Sequence, residues 1–166
     1  MHYFAYGSNM SIARLTARVP SATPIGIYSL AQHDLRFHKS SHDGSGKCDA
    51  YFTANPDDVV HGVVFTIDPE QKPDLDAIEG VGKGYEIKAV QVSTNKGESI
   101  AAFSYYATDI DASLSPYCWY LNHVLIGAKQ ASLPASYIDS KIASIVAIKD
   151  PDSNRHIREQ KIHKST

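Results

Sequence analysis

Residues Tyr3-Phe4-Ala5-Tyr6 form a short apolar run that stops at Gly7-Ser8-Asn9, and a helical pattern begins at once with Ser11-Ile12-Ala13-Arg14-Leu15. A strand that breaks at a glycine into a helix start leaves backbone N–H groups unpaired and pointing one way, because a first helical turn has no internal acceptors. Gly7 frees the backbone and lets a ligand approach closely. Ser8 and Asn9 either cap the helix or donate to a ligand. Such a loop suits a carboxylate, a phosphate or a developing oxyanion. A lone G-S-N is more often a simple cap, so chemistry requires a second, matching piece.

Leu75-Asp76-Ala77-Ile78-Glu79-Gly80-Val81-Gly82-Lys83-Gly84-Tyr85 supplies it. The spacing predicts a helix over 69–78, with Pro69 in its first turn and Gly80 as its stop. Glu79 then sits in the last turn, where the macrodipole disfavours negative charge. Leu75 lies four residues back, so the carboxylate borders the core-facing stripe. Low dielectric and the dipole would both raise the pKa of a glutamate placed there, which suits a general base working near neutral pH. Most glutamates on surface helices are solvated and idle, so position alone leaves Glu79 a minority candidate.

Other chemistries fit less well. A nucleophilic Ser8 would want a G-x-S-x-G elbow, and Y-G-S-N lacks the preceding glycine. The eight histidines include no H-x-x-x-H pair on a helix, and Cys48 and Cys118 form no C-x-x-C, so no metal is expected. Asp43-Gly44-Ser45-Gly46-Lys47 lacks phosphate-loop spacing and reads as a mobile hairpin tip.

Taken together, Y-F-A-Y-G-S-N-M at the start and L-D-x-x-E-G-V-x-x-G-Y downstream resemble the γ-glutamylcyclotransferase family. The resemblance runs over most of the chain in the expected order: His61-Gly62-Val63-Val64-Phe65, then Ser104-Tyr105-Tyr106-Ala107, then Tyr120-Leu121-x-x-Val124-x-x-Gly127-Ala128, then Leu133-Pro134-x-x-Tyr137. It implies that Tyr6, Gly7, Ser8 and Asn9 cradle the substrate, that Glu79 is the acid/base residue and proton acceptor, and that Tyr120 contacts the γ-glutamyl moiety. Tyr85 follows Glu79 by six residues, where some members place this tyrosine one further on, at what is Glu86 here. The implied reaction is an intramolecular aminolysis, an acyl transfer of lyase type in the orbit of glutathione metabolism. The α-amine of a γ-glutamyl-amino acid or γ-glutamylamine attacks its own γ-carbonyl, releasing 5-oxoproline and the free amine, with no cofactor. The alternative is a non-catalytic domain that keeps the fold and binds a γ-glutamyl group or small anion.

These residues need elements to hold them. Strands are expected over 3–6, 25–38, 50–53, 61–67, 87–94 and 99–107, with Asn95-Lys96-Gly97-Glu98 turning the last pair into a hairpin. Helices are expected over 11–18, 69–78, 116–131 and 134–148. Leu121, Val124, Leu125 and Ala128 form one apolar stripe, and Ile138, Ile142, Ile145 and Val146 another. Few helices interrupt the strands. The expected class is therefore α+β, a mixed or mostly antiparallel sheet curled into a small β-barrel with peripheral helices, a barrel the resemblance also implies.

The chain's 166 residues suffice for one domain, placed at 1–149, with a polar tail at 150–166 that is frayed or forms a short docking helix. A hydrophobic content of 43% and a charged content of 20% describe an ordinary soluble globule. A net charge of −2 gives no reason to expect nucleic acid. No run is long enough to span a membrane, and Met1-His2-Tyr3-Phe4 has no basic leader. Two cysteines without a framework fit a reducing cytoplasm, with Cys118 expected as a buried thiol. The expected partner is a small molecule, bound by a monomer or homodimer.

Overall fold

The computed structural model describes residues 1–164. Strands β1 (His2–Ala5), β2 (Thr23–Ala31), β5 (Val59–Thr66), β6 (Tyr85–Ser93) and β7 (Ser99–Ala107) close a barrel in the order β1-β5-β2-β6-β7. Its pairs are antiparallel except at the closure, where β1 runs parallel to β7 with Tyr3 opposite Phe103. Strands β3 (His33–Ser40) and β4 (Gly46–Phe52) form a separate two-stranded sheet. The α+β barrel with peripheral helices is thus the observed class. The interior is filled by Phe4, Val60, Val64, Phe65 and Val92, each fully or almost fully buried.

Several elements differ from expectation. The single strand over 25–38 is two strands, because Gln32 adopts a left-handed conformation (φ 61°) between them. That kink turns β3 off the barrel to pair with β4, and Thr53 N–H closes the corner on Gln32 C=O at 2.9 Å. The helix over 134–148 stops early: a short helix α4 (Ala135–Tyr137) runs into a π turn (Ile138–Ala143). Ser140 and Ser144 hydroxyls bond back to carbonyls four residues earlier, a pattern that loosens a helix. Ile138 and Ile142 are buried and Ile145 packs against the edge of the core, while Val146 is 77% exposed, so the stripe loses only its last member.

The remaining helices carry the site. Helix α1 (Ile12–Thr16) is capped by Ser11, whose hydroxyl accepts from Arg14 N–H, and Ser8–Met10 form a 3-10 turn ahead of it. Helix α2 (Lys72–Glu79) follows a 3-10 turn at Pro69–Gln71 and ends on Gly80 at φ 77°, a conformation glycine adopts without penalty. Helix α3 (Cys118–Gln130) buries Leu121, Val124 and Ala128, whereas Cys118 is exposed, not buried. It packs on the 3-10 turn so closely that a Cβ on Gly127 would lie 2.4 Å from Ser11 N. Helix α5 (Ser153–Lys161) occupies the polar segment after 150 and docks on the body through Glu159. Ser165 and Thr166 of the expected tail lie outside the described residues.

Candidate active site

The end of β1 and the end of α2 meet at one mouth of the barrel. The L-D-x-x-E pattern explains how α2 is aimed. Leu75 is completely buried and anchors the helix, while Asp76 accepts a 2.6 Å hydrogen bond from Tyr105 on β7. Glu79, one turn beyond Leu75, is then directed towards the 3-10 turn. Its Oε1 accepts from Asn9 Nδ2 at 2.9 Å and from Arg18 at 3.0 Å. Arg18 also donates to Asn9 Oδ1 at 3.1 Å, and Asn9 Nδ2 reaches Tyr3 OH at 3.0 Å. Asn9 is therefore saturated and fixed, and the Glu79 side chain keeps 16% of its surface exposed. Among the described residues Oε2 has no donor, leaving that oxygen for a ligand.

The loop itself is held from several sides. Gly7 packs against β4: a Cβ there would lie 2.9 Å from Cys48 Cβ. Tyr6 OH donates to Tyr105 C=O at 2.6 Å, so Tyr6 fastens the loop to β7. Ser8 Oγ accepts from Arg14 Nε at 3.2 Å, and Arg14 is held in turn by Glu159 of α5 at 2.5 Å. The backbone N–H groups of Ser8 and Asn9 find no acceptor among the described residues. They remain available donors at the base of the site.

Both singled-out tyrosines converge on Cys48. Tyr120 OH accepts from Cys48 N–H at 3.0 Å, and Tyr85 OH donates to Cys48 C=O. Tyr85 thus faces the site from the position the shorter spacing gives it. Burial pushes the hydroxyls of Tyr6, Tyr85 and Tyr120 well above the ordinary tyrosine pKa, so all three stay neutral. Burial likewise pushes the Cys48 thiol up to about 12, which removes it as a nucleophile near neutral pH.

Two connected spaces result. An inner crevice of about 30 Å³ is lined by Tyr6, Gly7, Ser8, Asn9, Glu79, Tyr85 and Tyr120, so all seven expected site residues are brought together. An outer cavity of about 350 Å³ shares Ser8, Glu79, Tyr85 and Tyr120 with it and adds Arg14, Arg18, Lys39, Lys47 and Lys83. The hairpin tip 43–47 borders this outer cavity, yet it is pinned: Lys47 pairs with Asp43 at 2.7 Å, and Tyr117 OH donates to Asp43 C=O at 2.6 Å. Sequence reasoning missed Arg18, Tyr3, Tyr105 and the outer cations. Arg18 reads as an ordinary cation just past a helix end, and no spacing ties it to Glu79. Among the described residues no group of three or more His, Cys, Asp or Glu side chains could hold a metal ion, and no helix is long and apolar enough to cross a membrane.

Comparison with known proteins places this architecture. Residues 59–140 match the profile of the AIG2-like family. A γ-glutamylcyclotransferase of Bos taurus is 35% identical over 148 residues, spanning 86% of this chain and 77% of the relative. The Homo sapiens γ-glutamylcyclotransferase is 35% identical over 140 residues, 81% of this chain and 73% of the relative. A solved structure of a γ-glutamyl cyclotransferase superposes with a TM-score of 0.84 at 29% identity, covering 96% of this chain and 98% of that one.

Proposed function

This chain belongs to the γ-glutamylcyclotransferase family and is an enzyme of that type; we propose that it converts a γ-glutamyl conjugate to 5-oxoproline and a free amine, with Glu79 moving the proton. The α-amine of such a substrate is mostly an ammonium at neutral pH, its pKa being about 8. It must lose a proton before it can attack. Glu79 Oε2 takes that proton, and the neutral nitrogen adds to the γ-carbonyl to give a tetrahedral oxyanion in a five-membered ring. Collapse breaks the bond to the departing nitrogen, which receives that proton from Glu79, and the freed carboxylate then takes the second proton that the ring nitrogen sheds in becoming a lactam and passes it to the released amine. Water is neither consumed nor released, and no enzyme nucleophile is needed.

The rest of the site orients the substrate and stabilises charge. The N–H groups of Ser8 and Asn9 meet negative charge, whether the α-carboxylate or the oxyanion. The inner crevice is large enough for one small polar group, and the outer cavity takes the remainder of the molecule. Neutral, fixed tyrosines bound the path, so that a flexible chain is held folded with amine against carbonyl, which lowers the entropic part of the barrier.

The observation that carries this reading is the 2.9 Å contact between Asn9 and Glu79, which sets a half-buried carboxylate beside unpaired loop N–H groups. A non-catalytic binding domain would have no need of that carboxylate. The test is 5-oxoproline release from a panel of γ-glutamyl-amino acids and γ-glutamylamines by wild type and Glu79→Gln. Turnover by wild type with near-complete loss in the variant is expected; undiminished turnover in the variant would mean that another group moves the proton.

A further inference from the structure

Two guanidiniums stand together at the rim of the site. Arg14 on α1 and Arg18 just past its end are four residues apart, a spacing at which like charges repel. Burial, and after it the charge of Arg18, draws Arg14 below the ordinary arginine range. Among the described residues each has one carboxylate partner: Glu159 for Arg14 at 2.5 Å, and Glu79 for Arg18 at 3.0 Å. The other cations of the outer cavity are placed differently. Lys47 pairs with Asp43, Lys39 rests 4.7 Å from the centre of the Tyr85 ring, and Lys83 is exposed.

The two carboxylates have different fates. Glu159 takes no part in the reaction, whereas Glu79 becomes a neutral acid when the substrate's ammonium gives up its proton. A guanidinium does not follow it, because arginine keeps its own proton. Arg18 is then left without a counter-charge and beside a second cation. It has donors to spare: one nitrogen serves both Glu79 Oε1 and Asn9 Oδ1, and its other three N–H groups have no acceptor among the described residues. The side chain keeps 23% of its surface exposed and lines the outer cavity. The next negative charge to appear is on the γ-carbonyl oxygen. With the γ-glutamyl end in the inner crevice and the rest of the molecule outside it, that carbonyl sits where the two spaces join, and Glu79 lines both.

We propose that Arg18 is a catalytic residue that changes partner during the reaction, pairing with Glu79 at rest and with the oxyanion once Glu79 carries the substrate's proton. This rests on the ring-closing reaction proposed above. As the nitrogen lone pair forms the ring bond, the carbonyl π pair moves onto oxygen, and Arg18 meets the charge that results. When that pair returns and the bond to the departing nitrogen breaks, Glu79 has given up its proton and recovers Arg18. One cation thus serves two anions in succession.

The experiment measures, by calorimetry, the binding of two ligands that are not turned over. One is 5-oxoproline; the other is the cyclic phosphonamidate in which a tetrahedral phosphorus bearing O⁻ replaces its carbonyl carbon. Glu79→Gln imitates the glutamate after proton uptake, so it should bind the phosphonamidate about 10- to 100-fold more tightly than wild type, the worth of one charge-assisted contact. Adding Arg18→Met should erase that gain, and adding Arg18→Lys should keep part of it. Affinity for 5-oxoproline, whose carbonyl oxygen carries no charge, should stay nearly constant and shows that each variant is folded. Three results overturn the proposal: no tightening in Glu79→Gln, a tightening that survives Arg18→Met, or a loss on Arg18→Met that falls equally on both ligands. The turnover panel is read separately. If wild type releases 5-oxoproline from none of its members, the ring-closing reading itself fails and takes this inference with it.

Discussion

Asn9 Nδ2 lies 2.9 Å from Glu79 Oε1 across 70 residues of sequence, and this one contact joins the loop after β1 to the end of α2. The two side chains act as a unit. Glu79→Gln should lower kcat by about 10²- to 10⁴-fold, the usual worth of a positioned acid/base group. Asn9→Ala should cost less, about 10-fold, by freeing the carboxylate to rotate. In the Glu79→Gln background the Asn9 substitution should add almost nothing, because the group it positions no longer carries protons. Steady-state 5-oxoproline assays on the four proteins of this cycle decide the matter, and fully additive losses would show that Asn9 acts independently.

Gly127 is where α3 touches the loop. An added Cβ would sit 2.4 Å from Ser11 N and 2.6 Å from Met10 C, both backbone atoms that have no rotamer to escape into. Gly127→Ala should therefore destabilise the fold by about 1–3 kcal/mol, the range for overpacking. It should also raise KM, since the displaced segment presents Ser8 and Asn9. Thermal denaturation and KM measured on the same sample test both effects; a loss of stability with KM unchanged would show that α3 supports the fold without setting the loop.

Glu159 holds Arg14, and Arg14 holds Ser8. Arg14 keeps only 7% of its side-chain surface exposed, so Glu159→Ala strands a nearly buried guanidinium. The expected loss is about 2 kcal/mol, less than for a fully buried pair because Glu159 retains 18% exposure. The variant should also bind substrate more weakly through a loosened Ser8. Denaturant melts and KM values check this, and an unchanged midpoint would mean that solvent replaces the carboxylate without cost.

Acid should weaken the fold in two successive stages around the same cluster. Burial lowers His123 from 6.5 to about 4, so the unfolded chain takes up that proton first and stability falls between those values. Burial works against the Glu159 charge, but hydrogen bonds from His123 and Arg14 outweigh it and hold the carboxyl down at about 2. The stabilisation from Glu159 is thus complete above its unfolded value of 4.5 and is lost as the pH falls towards 2. Melting temperature against pH should decline through both windows, and Glu159→Gln should flatten the lower one; a variant curve parallel to wild type down to pH 2 would contradict this assignment.

The local signals were legible because local rules produce them. Gly80 ends α2, Leu75 and Glu79 share a helical face, and the strand before Gly7 stops where its apolar run stops. The hairpin over 85–107 follows from alternation and from a turn closed by Thr94 and Glu98. What stayed hidden depends on distant partners. Gln32 breaks a strand with no glycine or proline to announce it. Arg18 and Lys39 matter only because closing the barrel and folding back β3 bring them to Glu79 and Tyr85. The stripe ending at Val146 has helical spacing, yet that last residue stays 77% exposed because the helix has given way to a π turn and a bend before it.

The link from Ser8 through Arg14 to Glu159 also has a temporal meaning. Its first and last members stand 151 positions apart, so during synthesis the loop after β1 waits, its arginine uncompensated, until Glu159 has left the ribosome. A product cut short before Glu159 keeps every residue of the inner crevice and lacks the clamp on Ser8. The arrival of α5 is the event that finishes the pocket.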